Sequence, residues 1–417
     1  MITRVEALNF RCLRYVHRPM NSFHVLVGPN ASGKTTFLDV IGILGDIVSG
    51  GLDPALSERT PNPQDLLFGR RGSRLELAVE ATVPDALCQP GAQQWNTVRY
   101  QVALGYDDTD RQFEFKAETL LLKKATESGP SQRELFPTPP APPESLLDSI
   151  KQRDNKVLVN KAAGGNDNFY NESSPANRSW APSFKLGTQR SALGNLPADQ
   201  SSFPTATWFR EYLGAGIQRF TLNSAAIRKP SPPTRAAGFL PDGSNVSWVA
   251  RRLRQNDPAR HAAWIAHLRT ALPDLEDIEA VERPEDRHCY MVYRYAGGLS
   301  VPSWLVSDGT LRLTGLTLPA YLPDLEGVFL VEEPENGIHP KAVATVFDSL
   351  SSVYGAQVLM ATHSPVVLNA ANTEDVLCFA RDDTGATDIV SGTEHPHLQA
   401  WRGDADLGTL LAAGVLG

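Results

Sequence analysis

Cysteine is scarce in this chain of 417 residues: Cys12, Cys88, Cys289 and Cys378 stand far apart, with no C-x-x-C pair. That spacing gives neither a disulfide framework nor a zinc-ligand pattern, and it fits reduced, mostly buried thiols. Long apolar runs are missing as well. No eighteen consecutive uncharged apolar residues occur, which argues against a membrane-spanning helix. Positive charge is not in excess, with 39 Lys and Arg against 47 Asp and Glu and a formal net charge of -8. Such a total lends nothing to nucleic-acid binding, although a local basic face could still serve it. No internal repeat is visible, so a solenoid or propeller is not expected. The opening Met1-Ile2-Thr3-Arg4-Val5-Glu6 already carries charges, unlike the basic and apolar start of a signal peptide. The expected location is cytoplasmic.

What is present is ordinary in amount and specific in arrangement. Hydrophobic residues make up 41% and charged residues 21%, so a globular chain of two or three domains is expected. Ile2, Val5, Ala7, Leu8 and Phe10 alternate with polar residues, as in an edge strand. Phe23-His24-Val25-Leu26-Val27 reads as a buried central strand ending at Gly28. Phe37, Leu38, Val40, Ile41, Leu44 and Ile47 then recur at helical spacing. Strand, glycine loop and helix follow one another directly.

Leu75–Val83, Val98–Tyr106 and Gln112–Leu122 alternate between polar turns and predict an antiparallel meander. Between Ser128 and Asn195 the composition shifts to Pro137-Thr138-Pro139-Pro140-Ala141-Pro142-Pro143 and the polar run Gly164–Ser174. That stretch predicts a partly mobile insertion. Helices are expected near Asn245–Arg254 and Pro258–Leu272. Gly327–Val331, Pro340–Tyr354, Gln357–Ala361 and Asp375–Ala380 then alternate as strand, helix, strand, strand, the rhythm of a parallel α/β sheet. Leu407–Leu416 reads as a packing helix. The expected domains are 1–127, an N-terminal half with the meander; 128–300, an inserted helical and irregular region; and 301–417, a C-terminal α/β half.

Gly28-Pro29-Asn30-Ala31-Ser32-Gly33-Lys34-Thr35, followed by Thr36, matches the phosphate-loop pattern G-x-x-x-x-G-K-[ST] in full. Glycines let backbone N–H groups curl around an anion, and the helix that begins there adds its positive end. Lys34 is expected to reach the β- and γ-phosphates of ATP and Thr35 to hold Mg²⁺. The apolar run Val328-Phe329-Leu330-Val331 ends in Glu332-Glu333. Glu332 is expected on the metal, while Glu333 orients and deprotonates the attacking water. Ala361-Thr362-His363-Ser364-Pro365 follows another apolar strand, and His363 there could donate to the γ-phosphate. Ser307-Asp308-Gly309-Thr310 opens a helix; capping explains it locally, and a Ser-x-Gly turn on a helix N-terminus can also donate to a phosphate.

Together these residues resemble the ABC-type ATPases of the SMC, RecF and OLD (overcoming lysogenisation defect) group, whose bacterial members are commonly labelled AAA-family ATPases. The resemblance covers the N-terminal strand, the phosphate loop with its helix, and Ser303–Asn369, about a third of the chain. It implies an α/β fold: an ABC-type P-loop NTPase head with a mixed core sheet, an antiparallel β subdomain and an inserted helical or irregular region. It also implies a head-to-head homodimer. Ser307, Asp308, Gly309 and Thr310 then look like the signature that meets the partner's γ-phosphate. Asn336 and Gly337 look like the D-loop, and His363 like the switch histidine. Glu332 stands where the family more often has Asp, and Asp308 replaces a glycine of the transporter signature. The lid glutamine is not fixed by the motif order: Gln189 is one candidate and Gln64 another. No heptad run supplies an SMC-style arm, and no Toprim nuclease follows His363.

Three functions fit. The first is an ATP-hydrolysing switch with Mg²⁺ as cofactor. The second is a nucleotide-gated scaffold for a separately encoded nuclease or toxin, as in anti-phage systems. The third is DNA engagement through Arg70-Arg71-Gly72-Ser73-Arg74 and Arg251-Arg252-Leu253-Arg254. Ion pairs within the chain would explain those arginines equally well.

Overall fold

Alternating residues at the N-terminus build a hairpin, β1 (Ile2–Phe10) and β2 (Leu13–Pro19), and the apolar run after it forms β3 (Phe23–Val27). In the computed structural model, which describes residues 1–88, 95–124, 133, 135–150, 155–172, 182–233, 238–399 and 406–416, two layers of sheet follow. Helices α1 (Lys34–Gly50) and α2 (Leu52–Ser57) lead to β4 (Arg74–Thr82), β5 (Thr97–Asp107), β6 (Gln112–Lys123) and β7 (Lys156–Ala162). Short β8 (Asp167–Phe169) and β9 (Ser183–Phe184), α3 (Pro204–Gly214), β10 (Ile217–Phe220) and α4 (Ser224–Ile227) come next. A peripheral unit holds α5 (Val246–Asn256), α6 (Pro258–Ala271), β11 (Leu275–Glu282), β12 (Cys289–Tyr295) and β13 (Leu299–Pro302). The last part runs α7 (Asp308–Thr317), β14 (Gly327–Glu332), α8 (Pro340–Ser351), β15 (Ala356–Ala361), α9 (Pro365–Ala370), β16 (Val376–Arg381), β17 (Thr387–Ser391), α10 (Pro396–Gln399) and α11 (Leu407–Ala412).

The expected antiparallel meander is there and grows into an eight-stranded sheet of order β2-β1-β4-β5-β6-β7-β8-β9. A six-stranded sheet of order β10-β14-β15-β3-β16-β17 carries the α/β half, parallel except for β17. Helix α1 lies between the two. Phe37, Leu38, Val40, Ile41, Leu44 and Ile47 are all fully buried there, in one cluster with Leu77, Val102, Leu330 and Leu359. Each such side chain contributes roughly 1.5–3 kcal/mol by leaving water, so α1 is the joint of the head. The opposite face of the six-stranded sheet is covered by α5 to α9 through Val25, Phe329, Val331, Val358 and Met360.

Two expectations change. Strand β1 is not an edge; it pairs with both β2 and β4, and β2 is the edge. Alternation reports a strand with two unlike faces and is silent on its second neighbour. The polar face here is covered: Arg4 pairs with Glu80 at 3.0 Å, His17 with Glu6 at 2.5 Å, and Arg99 with both Glu6 and Glu80. Second, the stretch read as an inserted region contributes to the head itself. Leu146 N and Ser145 Oγ donate to Glu76 on the polar face, Arg133 and Thr138 N donate to Asp388 of β17, and β7 and β10 each add a strand to one of the two sheets. Among the described residues, no helix is long and apolar enough to cross a membrane. Cys12, Cys289 and Cys378 are buried, Cys88 is half-buried, and all four are free.

Two buried histidines tie the fold to pH. His24 accepts from Asn21 N–H through Nε2 at 2.8 Å, so its Nδ1 donates to the Asp375 carbonyl at 3.2 Å. Among the described residues neither ring nitrogen of His395 has a hydrogen-bond partner, and its ring stands edge-on to Phe136 at 5.0 Å. Burial pulls both imidazolium groups down to about 4. A histidine held neutral in the fold stabilises it fully above pH 6.5 and loses that contribution as pH falls toward 4, by about 1.4 kcal/mol per pH unit. Glu118 and Glu172, whose carboxyls burial pushes up, oppose that slope above pH 4.5. The expected result is that His395→Phe flattens the fall of denaturation free energy between pH 6.5 and 4.5; an unchanged slope contradicts it.

Candidate nucleotide-binding site

The loop after β3 needs its glycines. Gly28 has φ 148° and a Cβ there would stand 2.2 Å from the Phe379 carbonyl oxygen. Gly33 has φ 107°, and its Cβ would stand 2.5 Å from Thr387 Oγ1. The first turn of α1 carries no side-chain cap and no acidic residue, so its N–H groups stay available to an anion. Ser32 Oγ is buried without a hydrogen-bond partner among the described residues. Lys34 Nζ donates to the carbonyls of Gly28 and Pro29 at 2.8 and 2.9 Å, folded over the mouth of its own loop. Burial pulls this ammonium down to about 8, against the pull of Glu333 and Glu332. Free amides, an orphan hydroxyl and a desolvated cation together fit a polyphosphate.

Strands β14, β15 and β3 are adjacent and parallel, so their C-terminal ends open on one edge. Thr35 Oγ1 donates to Glu332 Oε2 at 2.5 Å, which brings together the two groups expected on Mg²⁺. Glu333 follows with φ 45°, a left-handed conformation that a non-glycine residue keeps only under constraint. Its N–H donates to the Ala361 carbonyl at 2.8 Å, and its Oε2 accepts from Asn336 Nδ2. His363 borders the same cavity of about 300 Å³, along with Asn30, Ala31, Ser32, Gly33, Lys34, Thr35, Thr36, Glu332 and Glu333.

Three lining or supporting groups escaped the sequence reading. Cys12 and Arg381 line the cavity from the β1–β2 turn and the end of β16. Glu335 accepts from Thr362 Oγ1 at 2.6 Å and from His363 N at 2.9 Å, which locks the histidine loop to the acidic strand. The signal was the third carboxylate of Glu332-Glu333-Pro334-Glu335, whose distant partner no local pattern names.

Ser307 is the N-cap of α7, accepting from Thr310 N at 3.3 Å, and both Ser307 and Asp308 are exposed. A Cβ on Gly309 would lie 2.9 Å from the Gly337 carbonyl oxygen, so the signature candidate and the D-loop candidate touch only because position 309 is glycine. None of Ser307, Asp308, Gly309 or Thr310 lines the phosphate cavity; Asp308 borders a separate open groove of about 790 Å³.

Neither glutamine candidate reaches the cavity. Gln189 donates to the Phe113 carbonyl at 2.7 Å and its own carbonyl accepts from Leu52 N, beyond the far end of α1. That helix has 17 residues, so Gln189 stands about 25 Å from Lys34. Gln64 sits on a short turn bridged to Phe10 and does not line the cavity. The basic clusters are mostly paired: Arg70 with Asp65, Arg74 with Glu76, Arg251 with Glu282, and Arg254 with Asp277.

Comparison with known proteins bears on the family and the fold. The family described as "AAA domain, putative AbiEii toxin, Type IV TA system" matches residues 23–369, which includes the phosphate loop, the acidic strand and His363. The chain belongs to this family. Over 85 residues, 20% of the chain, it is 36% identical to the OLD nuclease of Thermus scotoductus, a match spanning 15% of that protein's length. Its fold is similar to the Smc head domain from Pyrococcus furiosus, solved with an extended coiled coil and bound to the C-terminal domain of ScpA. That likeness has a TM-score of 0.51 at 15% identity, over 94% of this chain and 96% of the other. The AAA-family chain thus carries an SMC-head-like P-loop fold, and P-loop ATPases of this kind generally use ATP and Mg²⁺.

Proposed function

We propose that the protein binds Mg-ATP in the cavity of Lys34, Glu332 and His363 and hydrolyses it when two heads meet face to face. One observation supports this above the others: the glycine loop, Lys34, Thr35, Glu332, Glu333 and His363 share one cavity, whereas none of Ser307, Asp308, Gly309 or Thr310 lines it and Asp308 borders a separate groove. Lys34 leaves the Gly28 and Pro29 carbonyls and binds the β- and γ-phosphates. Thr35 and Glu332 hold Mg²⁺, which supplies charge neutralisation on the phosphates when bound. Glu333, aimed by Asn336 and by its constrained backbone, orients a water molecule and takes its proton. His363, held by Glu335, donates to the γ-phosphate, and Ser307 with the first turn of α7 approaches from the second copy.

Turnover should therefore depend on concentration. The rate of phosphate release per molecule is expected to fall on dilution, as heads separate, and to recover when they are concentrated. A rate per molecule that stays constant down to a strictly monomeric solution removes the proposal. A second reading, a nucleotide-gated module that docks a separate toxin or nuclease in a defence or genome-maintenance role, draws on the toxin named in the family's description. DNA remains a weaker partner, because the arginines that suggested it largely face carboxylates of the same chain.

A further inference from the structure

We propose that Arg228 is a positioning residue for the signature turn: it cancels the charge of Asp308, so that Ser307 and Gly309 can face the triphosphate held by a second copy of this chain. The inference rests on the two-head reading above and names the electrostatic condition that reading needs.

A carboxylate in the first turn suits the helix, because it faces the positive end of α7. It does not suit a surface that must receive a polyphosphate. Asp308 sits between Ser307 and Gly309, and its side chain is 69% exposed. Left alone, it would oppose an incoming triphosphate at short range, where like charges repel appreciably even near a wet surface. The Arg228 guanidinium donates to Asp308 Oδ1 and, through its other nitrogen, to the Trp304 carbonyl at 3.2 Å. The Arg228 carbonyl in turn accepts from Ser303 Oγ at 3.0 Å, and Ser303 is fully buried.

These contacts make more than an incidental surface pair. Arg228 ends the segment that leaves β10, the strand lying directly beside the acidic strand β14. One turn further along α7, Arg312 donates to the Leu222 carbonyl at 3.2 Å, at the start of the same segment. Residues 221–228 are thus joined at both ends to the signature region. Two arginines against one carboxylate leave this face with a net positive charge, and removing Arg228 leaves it with none. A guanidinium suits the task, since its planar fork can hold a carboxylate and a carbonyl together.

The test measures phosphate release against protein concentration for wild type, Arg228→Ala, Arg228→Lys, and Arg228→Ala combined with Asp308→Asn. Arg228→Ala is expected to raise the concentration of half-maximal turnover by about tenfold, with the deficit shrinking as salt screens the exposed carboxylate. Arg228→Lys, which keeps the charge, and the double variant, which removes both charges, are expected to return to within about threefold of wild type. Binding of a fluorescent ATP analogue to the dilute head, which needs only the phosphate loop, identifies any variant that fails to fold. If the double variant is as impaired as Arg228→Ala, or Arg228→Lys fares no better than alanine, Arg228 acts only as a structural strap and the proposal falls. A wild type without concentration dependence instead removes the two-head reading itself.

Discussion

Glu333→Gln is expected to lower kcat by about 10²–10³-fold while Mg-ATP still binds. The substitution keeps the shape of the side chain and an oxygen for Asn336 Nδ2, so the turn after β14 has no reason to move. What it removes is the only function a carbonyl oxygen cannot replace, acceptance of a proton from water. The wild-type site also resists drift in that group, because Glu333 is pinned at φ 45° by its N–H bond to Ala361. In the proposed two-head reading cleavage ends the closed state, so ATP should now hold the heads together: with ATP and Mg²⁺ the variant is expected to run as a dimer on gel filtration and without them as a monomer. A kcat within about threefold of wild type would assign the base elsewhere.

Lys34→Ala is the second large effect. Truncating one partner of a buried charge-assisted pair costs about 2–5 kcal/mol, which corresponds to roughly 30- to several-thousand-fold in affinity. Isothermal titration with Mg-ATP is expected to show that loss, and phosphate release should vanish with it. The same group gives a pH signature in the wild type. Burial holds the free ammonium at about 8, and phosphate contact favours the charged form. ATP affinity should therefore be steady below pH 8 and fall by about tenfold per pH unit above it. Affinity that is flat from pH 7 to 9.5, or unchanged in Lys34→Ala, would show that this lysine does not meet the phosphates.

Among the described residues, both tests concern groups that the sequence names outright. The phosphate loop, the acidic pair and the histidine lie at the ends of β3, β14 and β15, and each was legible because a local requirement fixes it. Gly28 and Gly33 must be glycine because a Cβ there would stand 2.2 and 2.5 Å from Phe379 and Thr387. An apolar run can end in Glu332-Glu333 only where a buried strand emerges at a polar edge. The helix of α1 was readable for a similar reason, since its buried side chains repeat at the helical period and α1 has sheet on both sides.

Local pattern could not supply partners distant in the chain. Glu335 and His363 are joined across the acidic and histidine strands, and Arg228 meets Asp308 across 80 positions. Which strand is an edge depended on β4 returning to β1, and Gln189 misses the cavity because its backbone is tied to Leu52, past the end of α1 away from Lys34. By itself the sequence determined the chemistry of the site: a glycine loop with a lysine, a hydroxyl, two carboxylates and an imidazole, each tied to its own stretch of backbone. Only the tertiary structure decided which of these share a cavity and that the Ser307–Thr310 turn does not line it. The reason is physical: backbone propensity and side-chain period act over a few residues, whereas strand order and ion pairing are set by how whole layers pack.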